Sequence, residues 1–160
     1  LVTASALFDL ISAEWVARFA SVVAQFGAAF YTVLTYDGTD SFAPPHPLDQ
    51  AVVTAFAAHQ KQDKGFGIAA GPDAPDALAR GFASAGYTIE EASSPWTIGP
   101  ENAALAAELL RGIAHAVDET RKVASGPLKA WLAHRLTALP HKDARLITGH
   151  RDTFAYPATS

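Results

Sequence analysis

Four segments of the chain carry the apolar residues expected of β-strands. Leu1–Ala4 and Ala28–Leu34 are apolar with little alternation, which is typical of strands covered on both faces of a sheet. Tyr87–Ile98, which is interrupted at Pro95, has the composition of a third strand. Ala144–Tyr156 is the fourth predicted strand and has a polar middle.

Apolar residues at helical spacing predict five helices between and beside these strands. The first helix follows Ser12, a favourable N-cap residue, and runs to about Phe26, where Gly27 ends it. The others are predicted over Leu48–Gln60, from Asp73 or Pro75 to Gly86, over residues 100–123, and over Leu128–Leu139. Strands that alternate with helices indicate an α/β fold with a largely parallel sheet.

A strand at Leu1–Ala4 would leave one apolar edge of this sheet without a neighbour. Leu1 is not a translation start, and the chain contains no methionine. We therefore expect that an upstream segment is missing. The open edge should then be covered by that segment or by self-association with a second copy.

Composition excludes several classes of function. The net charge of −4 and the lack of a basic stripe do not support nucleic-acid binding. No apolar run reaches the roughly 18 residues that a membrane span requires. The absence of cysteine excludes disulfides and thiolate ligands, and the six histidines lack the spacing of a zinc site, so we expect no metal. These features favour a cytoplasmic protein.

Two short motifs in the sequence resemble functional motifs but have simpler structural interpretations. Gly65, Gly67 and Gly71 form a G-x-G-x-x-x-G string, but no buried strand precedes it. Lys61–Gly71 is therefore predicted to be a flexible loop over a site and not a nucleotide-binding turn. His150-Arg151-Asp152 lies in a predicted strand, so His150 and Asp152 should share one face as part of a hydrogen-bonded strand pair.

The order of several short motifs resembles the C-terminal half of class I S-adenosylmethionine-dependent methyltransferases. Leu1–Ser12 is similar to their fourth strand and following turn, and Gly27–Tyr36 is similar to their fifth strand. Ala85–Ile89 resembles the entry to the sixth strand, and Gly149–Asp152 would lie on the antiparallel seventh. The resemblance implies a Rossmann-like sheet in which Ala144–Tyr156 runs antiparallel between Ala28–Leu34 and Tyr87–Ile98, with Leu1–Ala4 parallel beside Ala28–Leu34.

The sequence also departs from that family. The glycine-rich first motif and the acidic residue of the second strand, which hold most of the cofactor, are both absent. The resemblance therefore implies a partial methyltransferase domain over residues 1–160 that lacks the N-terminal cofactor-binding half. Residues 99–139 would be a helical insertion between the sixth and seventh strands.

The resemblance also implies where ligands would bind. S-adenosylmethionine would lie against Thr3, Ala4 and Ser5, because the fourth strand of the family ends beside its methionine moiety. Open α/β sheets bind ligands at the carboxyl ends of their strands, so Tyr36 and Asp37 are expected to face the methyl acceptor. The acceptor, a small molecule or a protein, is not identified by the sequence.

The loop Gln60–Gly71 is predicted to be a mobile lid over the acceptor pocket. Its glycines permit the dihedral changes that a lid requires, and Phe66 is apolar in a polar setting. Lys64 and His59 could supply charge or take a proton. The alternative is an ordinary surface loop with Phe66 packed into the core.

Two further interpretations of the whole chain remain open at this stage. The chain could be a non-catalytic α/β interaction domain that begins at Leu1. It could also be a fragment of another doubly wound enzyme, such as a reductase or a hydrolase.

Overall fold

The computed structural model describes residues 1–158, which form an α/β structure. The strands in this range are β1 (Val2–Ser5), β2 (Phe30–Tyr36), β3 (Ser41–Ala43), β4 (Tyr87–Ser93), β5 (Trp96–Ile98), β6 (Arg145–Thr148) and β7 (His150–Pro157). The α-helices are α1 (Ala13–Gln25), α2 (Asp49–Gln60), α3 (Ala74–Ser84), α4 (Ala103–Thr120) and α5 (Ser125–Ala138). No helix within residues 1–158 is both long and apolar enough to cross a lipid bilayer.

The chain divides into two compact units, each built from separated segments. Within the described residues, the first unit comprises Leu1–Gly38, Gln60–Pro95 and residues 149–158. The second comprises Thr39–His59 and Trp96–Thr148. The helices predicted as an insertion at about residues 99–139 thus belong to the second unit, which also takes in residues 39–59.

The first unit contains a four-stranded sheet in the order β1-β2-β7-β4. β1 runs parallel to β2, with Val2 opposite Phe30, and β7 is antiparallel to both β2 and β4. The predicted order and directions of these strands are confirmed. The sequence expectation of an α/β fold is confirmed as well, but the expectation of a largely parallel sheet is wrong for residues 1–158, where β1 and β2 form a parallel pair and the other paired strands are antiparallel.

Helices α1 and α3 pack on one face of this sheet. Ser12 caps α1 as predicted, because its hydroxyl accepts a hydrogen bond from the amide of Trp15 at 3.2 Å. The core between the helices and the sheet is rich in aromatic rings and includes Phe8, Val16, Phe30, Leu78, Phe82 and Tyr87. On the opposite face Tyr31 is exposed. The expectation that this strand is covered on both faces is therefore wrong for the described residues.

The second unit contains a small antiparallel sheet in the order β3-β6-β5. Its core gathers residues of α2, α4, α5 and the sheet, including Val52, Ile98, Leu110, Trp131 and Leu146. This sheet was not predicted. The predicted strand Tyr87–Ile98 is divided between β4 and β5, and the predicted strand Ala144–Tyr156 is divided between β6 and β7, because the chain passes from one sheet to the other at residues 94–95 and at Gly149.

Two helix boundaries in the second unit also differ from the prediction. α4 ends at Thr120, where Arg121 takes the left-handed conformation with φ of 54°. α5 begins at Ser125, before its predicted start at Leu128. Gly126 and Pro127 therefore lie in the first turn of this helix. Proline is tolerated there because the first turn of a helix has no intrahelical partner for its amide.

Candidate functional site

The parallel strands β1 and β2 of the first unit end at one edge of the sheet, which we call the carboxyl edge. Ala6, directly after β1, has φ of 50°, and Leu34, near the end of β2, has φ of 58°. Such conformations are strained for residues other than glycine and are concentrated at functional sites. The strain therefore directs attention to this edge.

A bulge in β2 accompanies the strained residue Leu34. The register between β2 and β7 shifts between Thr32 and Thr35. The Asp152 carboxylate holds the bulge, because it accepts hydrogen bonds from the amide of Leu34 at 3.2 Å and from the hydroxyl of Ser94 at 2.6 Å. Bulges beside active sites redirect the side chains that follow them, and here those side chains are the last ones of β2.

The start of β7 lies beside the end of β2. Tyr36 is the register partner of His150, and the amide of Asp37 donates to the carbonyl of Gly149 at 3.3 Å. The carbonyl of His150 accepts a hydrogen bond from the amide of Ser94 at 2.9 Å. The predicted acceptor-side residues Tyr36 and Asp37 are thus brought together with His150, whose exposed fraction is only 9%.

Asp9 is the second titratable group near His150. It lies in the 3-10 turn Phe8–Leu10 that follows β1, and it is half-buried. Burial raises the pKa of the Asp9 carboxyl above its ordinary value, while its own backbone amide and the charge of His150 act in the opposite direction. The two groups are therefore close enough to interact electrostatically.

The segment that contains the predicted lid touches the turns that follow both β1 and β2. The amide of Ala70 donates to the carbonyl of Ile11 at 2.7 Å. Gly38 approaches Pro72 so closely that a Cβ added to this glycine would lie 2.8 Å from the Cβ of Pro72. The predicted return of this loop to the carboxyl ends of the strands is therefore present, although lid motion itself stays a prediction.

The tip of the loop is a tight turn that displays apolar side chains to solvent. Asp63 and Ile68 form an isolated antiparallel bridge, and Phe66 and Ile68 are 63% and 76% exposed. The alternative in which Phe66 packs into the core is wrong. Lys64 lies in the same turn and is half-buried. At the base of the loop Lys61 forms an ion pair of 2.6 Å with Asp73.

His59 belongs to the second unit. Its Nε2 lies 2.8 Å from a carboxylate oxygen of Glu119 on α4, and His115 lies 3.5 Å from the other oxygen. A role of His59 toward a substrate stays a prediction. No group of three or more histidine, aspartate or glutamate side chains within residues 1–158 is arranged to hold a metal ion.

The predicted cofactor residues lie where β1 ends. Thr3 and Ser5 are exposed, and Ala4 packs toward the core of the first unit. Asp9 and His150 were not predicted as site residues. His150 could have been found from the predicted antiparallel pairing, because that pairing places the first residue of β7 beside the last residue of β2. No sequence signal marks Asp9.

Comparison with known proteins adds no family to this geometry. No protein-family model matches the sequence, and no curated protein is similar enough to indicate a relationship.

Proposed function

We propose that this chain is the acceptor-side half of a class I S-adenosylmethionine-dependent methyltransferase. The observation that carries the proposal is the strand order β1-β2-β7-β4, in which β7 runs in the direction opposite to the other three strands. This is the arrangement that the resemblance implies for strands four, five, seven and six. In this order the last strand of the chain is inserted between two earlier strands, so the sheet does not follow the order of its strands in the sequence.

The end of β1 fits one part of the cofactor. Thr3 and Ser5 expose their side chains, and the strained turn at Ala6 follows directly. β1 is at the end of the strand order in the described sheet, so its outer backbone groups are open to a ligand or a further strand. We infer that Thr3, Ala4 and Ser5 border the methionine moiety, while a segment with the glycine-rich motif holds the nucleoside.

When bound, S-adenosylmethionine supplies a methyl group attached to a good leaving group. The protein must then align the acceptor with that group and exclude water. Tyr36 and Asp37 stand at the end of β2, and the Phe66 loop returns to the same edge. These groups are suited to orienting an acceptor, with Phe66 and Lys64 covering it from the loop.

Binding of S-adenosylhomocysteine tests the proposal. The 160-residue chain should bind it weakly or not at all in a calorimetric titration. The same chain, extended at its amino end by the reading frame that precedes it in the genome, should bind with micromolar affinity. That preceding frame should encode a strand, a glycine-rich turn and a helix. Micromolar binding by the 160-residue chain alone would show that the cofactor site is misplaced.

A non-catalytic interaction domain is the second candidate, and one observation favours it. The sheet face opposite α1 and α3 carries a row of aromatic rings: Tyr31 contacts Phe154, and Phe154 contacts Tyr156 at 5.2 Å between ring centroids. Tyr31 is exposed and the other two rings are half-buried, and aromatic groups that reach the surface in this way are enriched at protein interfaces. An extended chain that binds no S-adenosylhomocysteine but retains a protein partner on this face would favour this candidate.

A further inference from the structure

The face of the first sheet opposite α1 and α3 contains a pocket that takes no part in the methyl transfer proposed above. Its volume is about 210 Å³. Tyr31, Phe154 and Glu90 line it from three neighbouring strands, because Phe154 of β7 is the register partner of both other residues. Asp152 lies two residues before Phe154, so it projects from the same face of β7 and also lines this pocket, which we call the aromatic–acidic pocket.

Two carboxylates of the aromatic–acidic pocket have no cation beside them. Neither Glu90 nor Asp152 forms an ion pair with another residue in the range 1–158. A third lining carboxylate, that of Glu91, differs because it lies 3.4 Å from the guanidinium of Arg151. The pocket therefore has two negative charges that a cationic ligand would complement.

Neighbouring groups hold both carboxylates in place and leave one oxygen of each for a ligand. The Oδ1 atom of Asp152 accepts hydrogen bonds from the amide of Leu34 and the hydroxyl of Ser94, whereas its Oδ2 atom accepts none from residues 1–158. In the same way the Oε1 atom of Glu90 accepts from the hydroxyl of Tyr156 at 2.9 Å, and its Oε2 atom accepts none from that range. Carboxylates that are already positioned lose little conformational freedom when a ligand binds.

Aromatic rings form the rest of the binding surface in this pocket. The ring centroids of Tyr31 and Phe154 are 6.3 Å apart, and the two rings are inclined at 74°. Tyr31 is 40% exposed and Phe154 is half-buried, so a ligand can reach both rings. The face of an aromatic ring attracts an organic cation, whereas its carbon atoms supply no ligands to a metal ion. Rings beside carboxylates therefore favour an organic cation as the ligand.

We propose that the aromatic–acidic pocket binds the guanidinium group of an arginine side chain on a partner protein. A guanidinium is planar, so it can stack on a ring while its N–H groups donate to carboxylates, and arginine is enriched at protein interfaces. The pocket is smaller than the about 300–1,000 Å³ that is typical of small-molecule sites, which suits one inserted side chain. The proposal does not depend on methyl transfer, because no residue assigned to the cofactor or the methyl acceptor lines this pocket.

A first experiment varies the ligand and uses the 160-residue chain. Three capped tripeptides with an uncharged fluorophore carry arginine, lysine or citrulline between two alanines, and citrulline is a neutral analogue of arginine. In fluorescence anisotropy the arginine peptide should bind about tenfold more tightly than the citrulline peptide, because citrulline forms neither the ion pairs nor the cation–π contact. The lysine peptide should bind more weakly than the arginine peptide, although their charges are equal. An arginine peptide that binds no more tightly than either of the others overturns the proposal.

A second experiment locates the arginine peptide on the chain by substitution. Glu90→Gln and Asp152→Asn each remove one negative charge but keep an oxygen that can accept the existing hydrogen bonds, and each should weaken binding about two- to fivefold. Tyr31→Leu should weaken binding by a similar factor, because it removes a ring from the pocket. Glu14→Gln is the matched control: it removes the same charge from an exposed position on α1, on the other side of the sheet, and should leave the affinity unchanged.

Circular dichroism spectra show whether each variant is folded. If Asp152→Asn does not fold, Glu90→Gln decides the outcome, because Glu90 is exposed and does not hold the bulge of β2. Equal affinity in wild type and Glu90→Gln, or an equal loss in Glu14→Gln, overturns this pocket as the binding site. Neither experiment uses the methyl donor, so both results remain decisive if S-adenosylhomocysteine fails to bind the extended chain and the proposed function fails.

Discussion

Replacing Asp49 by alanine should destabilise the second unit more than any other single loss of charge in it. The Asp49 carboxylate accepts hydrogen bonds from the guanidinium of Arg135 with both oxygens. It also accepts from the indole N–H of Trp131 at 2.8 Å and from the amide of His46 at 2.7 Å. Arg135 is 3% exposed, and its guanidinium also donates to the carbonyl of Pro44.

The size of the effect follows from burial. Removing one partner of a buried ion pair costs about 3–5 kcal/mol, because the remaining charge has no partner. The Asp49 side chain keeps 20% exposure, so water can reach the vacated space, and the lower part of that range is expected. The indole of Trp131 and the amide of His46 also lose their acceptor, and each such loss costs about 1–3 kcal/mol where water does not replace it. We therefore expect a total of about 3–4 kcal/mol.

Urea unfolding followed by circular dichroism measures this change. Glu108→Ala is the matched control, because the Glu108–Arg111 pair lies on α4 in the same unit and is exposed, so its loss should cost at most about 0.5 kcal/mol. Arg135→Met added to Asp49→Ala should recover part of the stability, since it removes the unpaired buried charge. If Asp49→Ala costs no more than Glu108→Ala, or if the double variant is no more stable than Asp49→Ala, the reasoning is refuted.

Three other predictions concern the first unit. Because the pKa of Asp9 is raised on folding, its unfavourable contribution to stability is absent below the unfolded pKa, grows as pH rises from the unfolded to the folded pKa, and is complete above the folded pKa. Asp9→Asn should therefore be more stable than wild type at neutral pH and equally stable in acid, and a difference in urea unfolding that does not change with pH would contradict this. Phe66→Ala should slow methyl transfer in the extended chain and leave the melting temperature unchanged. Phe26→Ala, at another exposed phenylalanine, is the control and should change neither quantity. A Phe66→Ala variant that loses stability but keeps its rate of methyl transfer would refute the lid. The 160-residue chain should self-associate through the open edge of β1, which light scattering would detect. Thr3→Lys should reduce this association. A monodisperse wild-type monomer would contradict the prediction.

The sheet of the first unit was predictable because its signals are local and long enough. β2 and β4 each have seven residues, and turn-forming residues flank them. The direction of β7 is what the resemblance to a known family implies, and β7 does run antiparallel to β2 and β4. Capping by Ser12 was also predictable, because the hydroxyl and the amide that it accepts are three residues apart.

The second sheet was not predictable for a physical reason. β3 and β5 have three residues each, too few to show a periodic pattern, and β3 adjoins a proline-rich stretch. Their pairing with β6 joins residues about a hundred positions apart for β3, so only the folded chain shows it. The Asp49–Arg135 pair was hidden in the same way, since its two residues lie far apart in the sequence.

The candidate site likewise contains residues that the sequence predicts and residues that it does not. Tyr36 ends a recognisable strand and Asp37 follows it, so their place at the carboxyl edge could be predicted. The interaction of Asp9 with His150 depends on a 3-10 turn and on the exact register of β7, and neither leaves a pattern in the sequence. Likewise, composition alone left it open whether Phe66 was a core residue or an exposed one.

The most direct test of the central proposal is to locate S-adenosylhomocysteine on the extended chain by NMR. Amide signals of Thr3, Ala4 and Ser5 at the end of β1 should shift on titration with the ligand. Signals of α4 and α5 in the second unit should serve as the reference and remain in place. Shifts confined to the second unit, or no shift at the end of β1 when the ligand is bound, would contradict the assignment of this chain as the acceptor-side half of a methyltransferase.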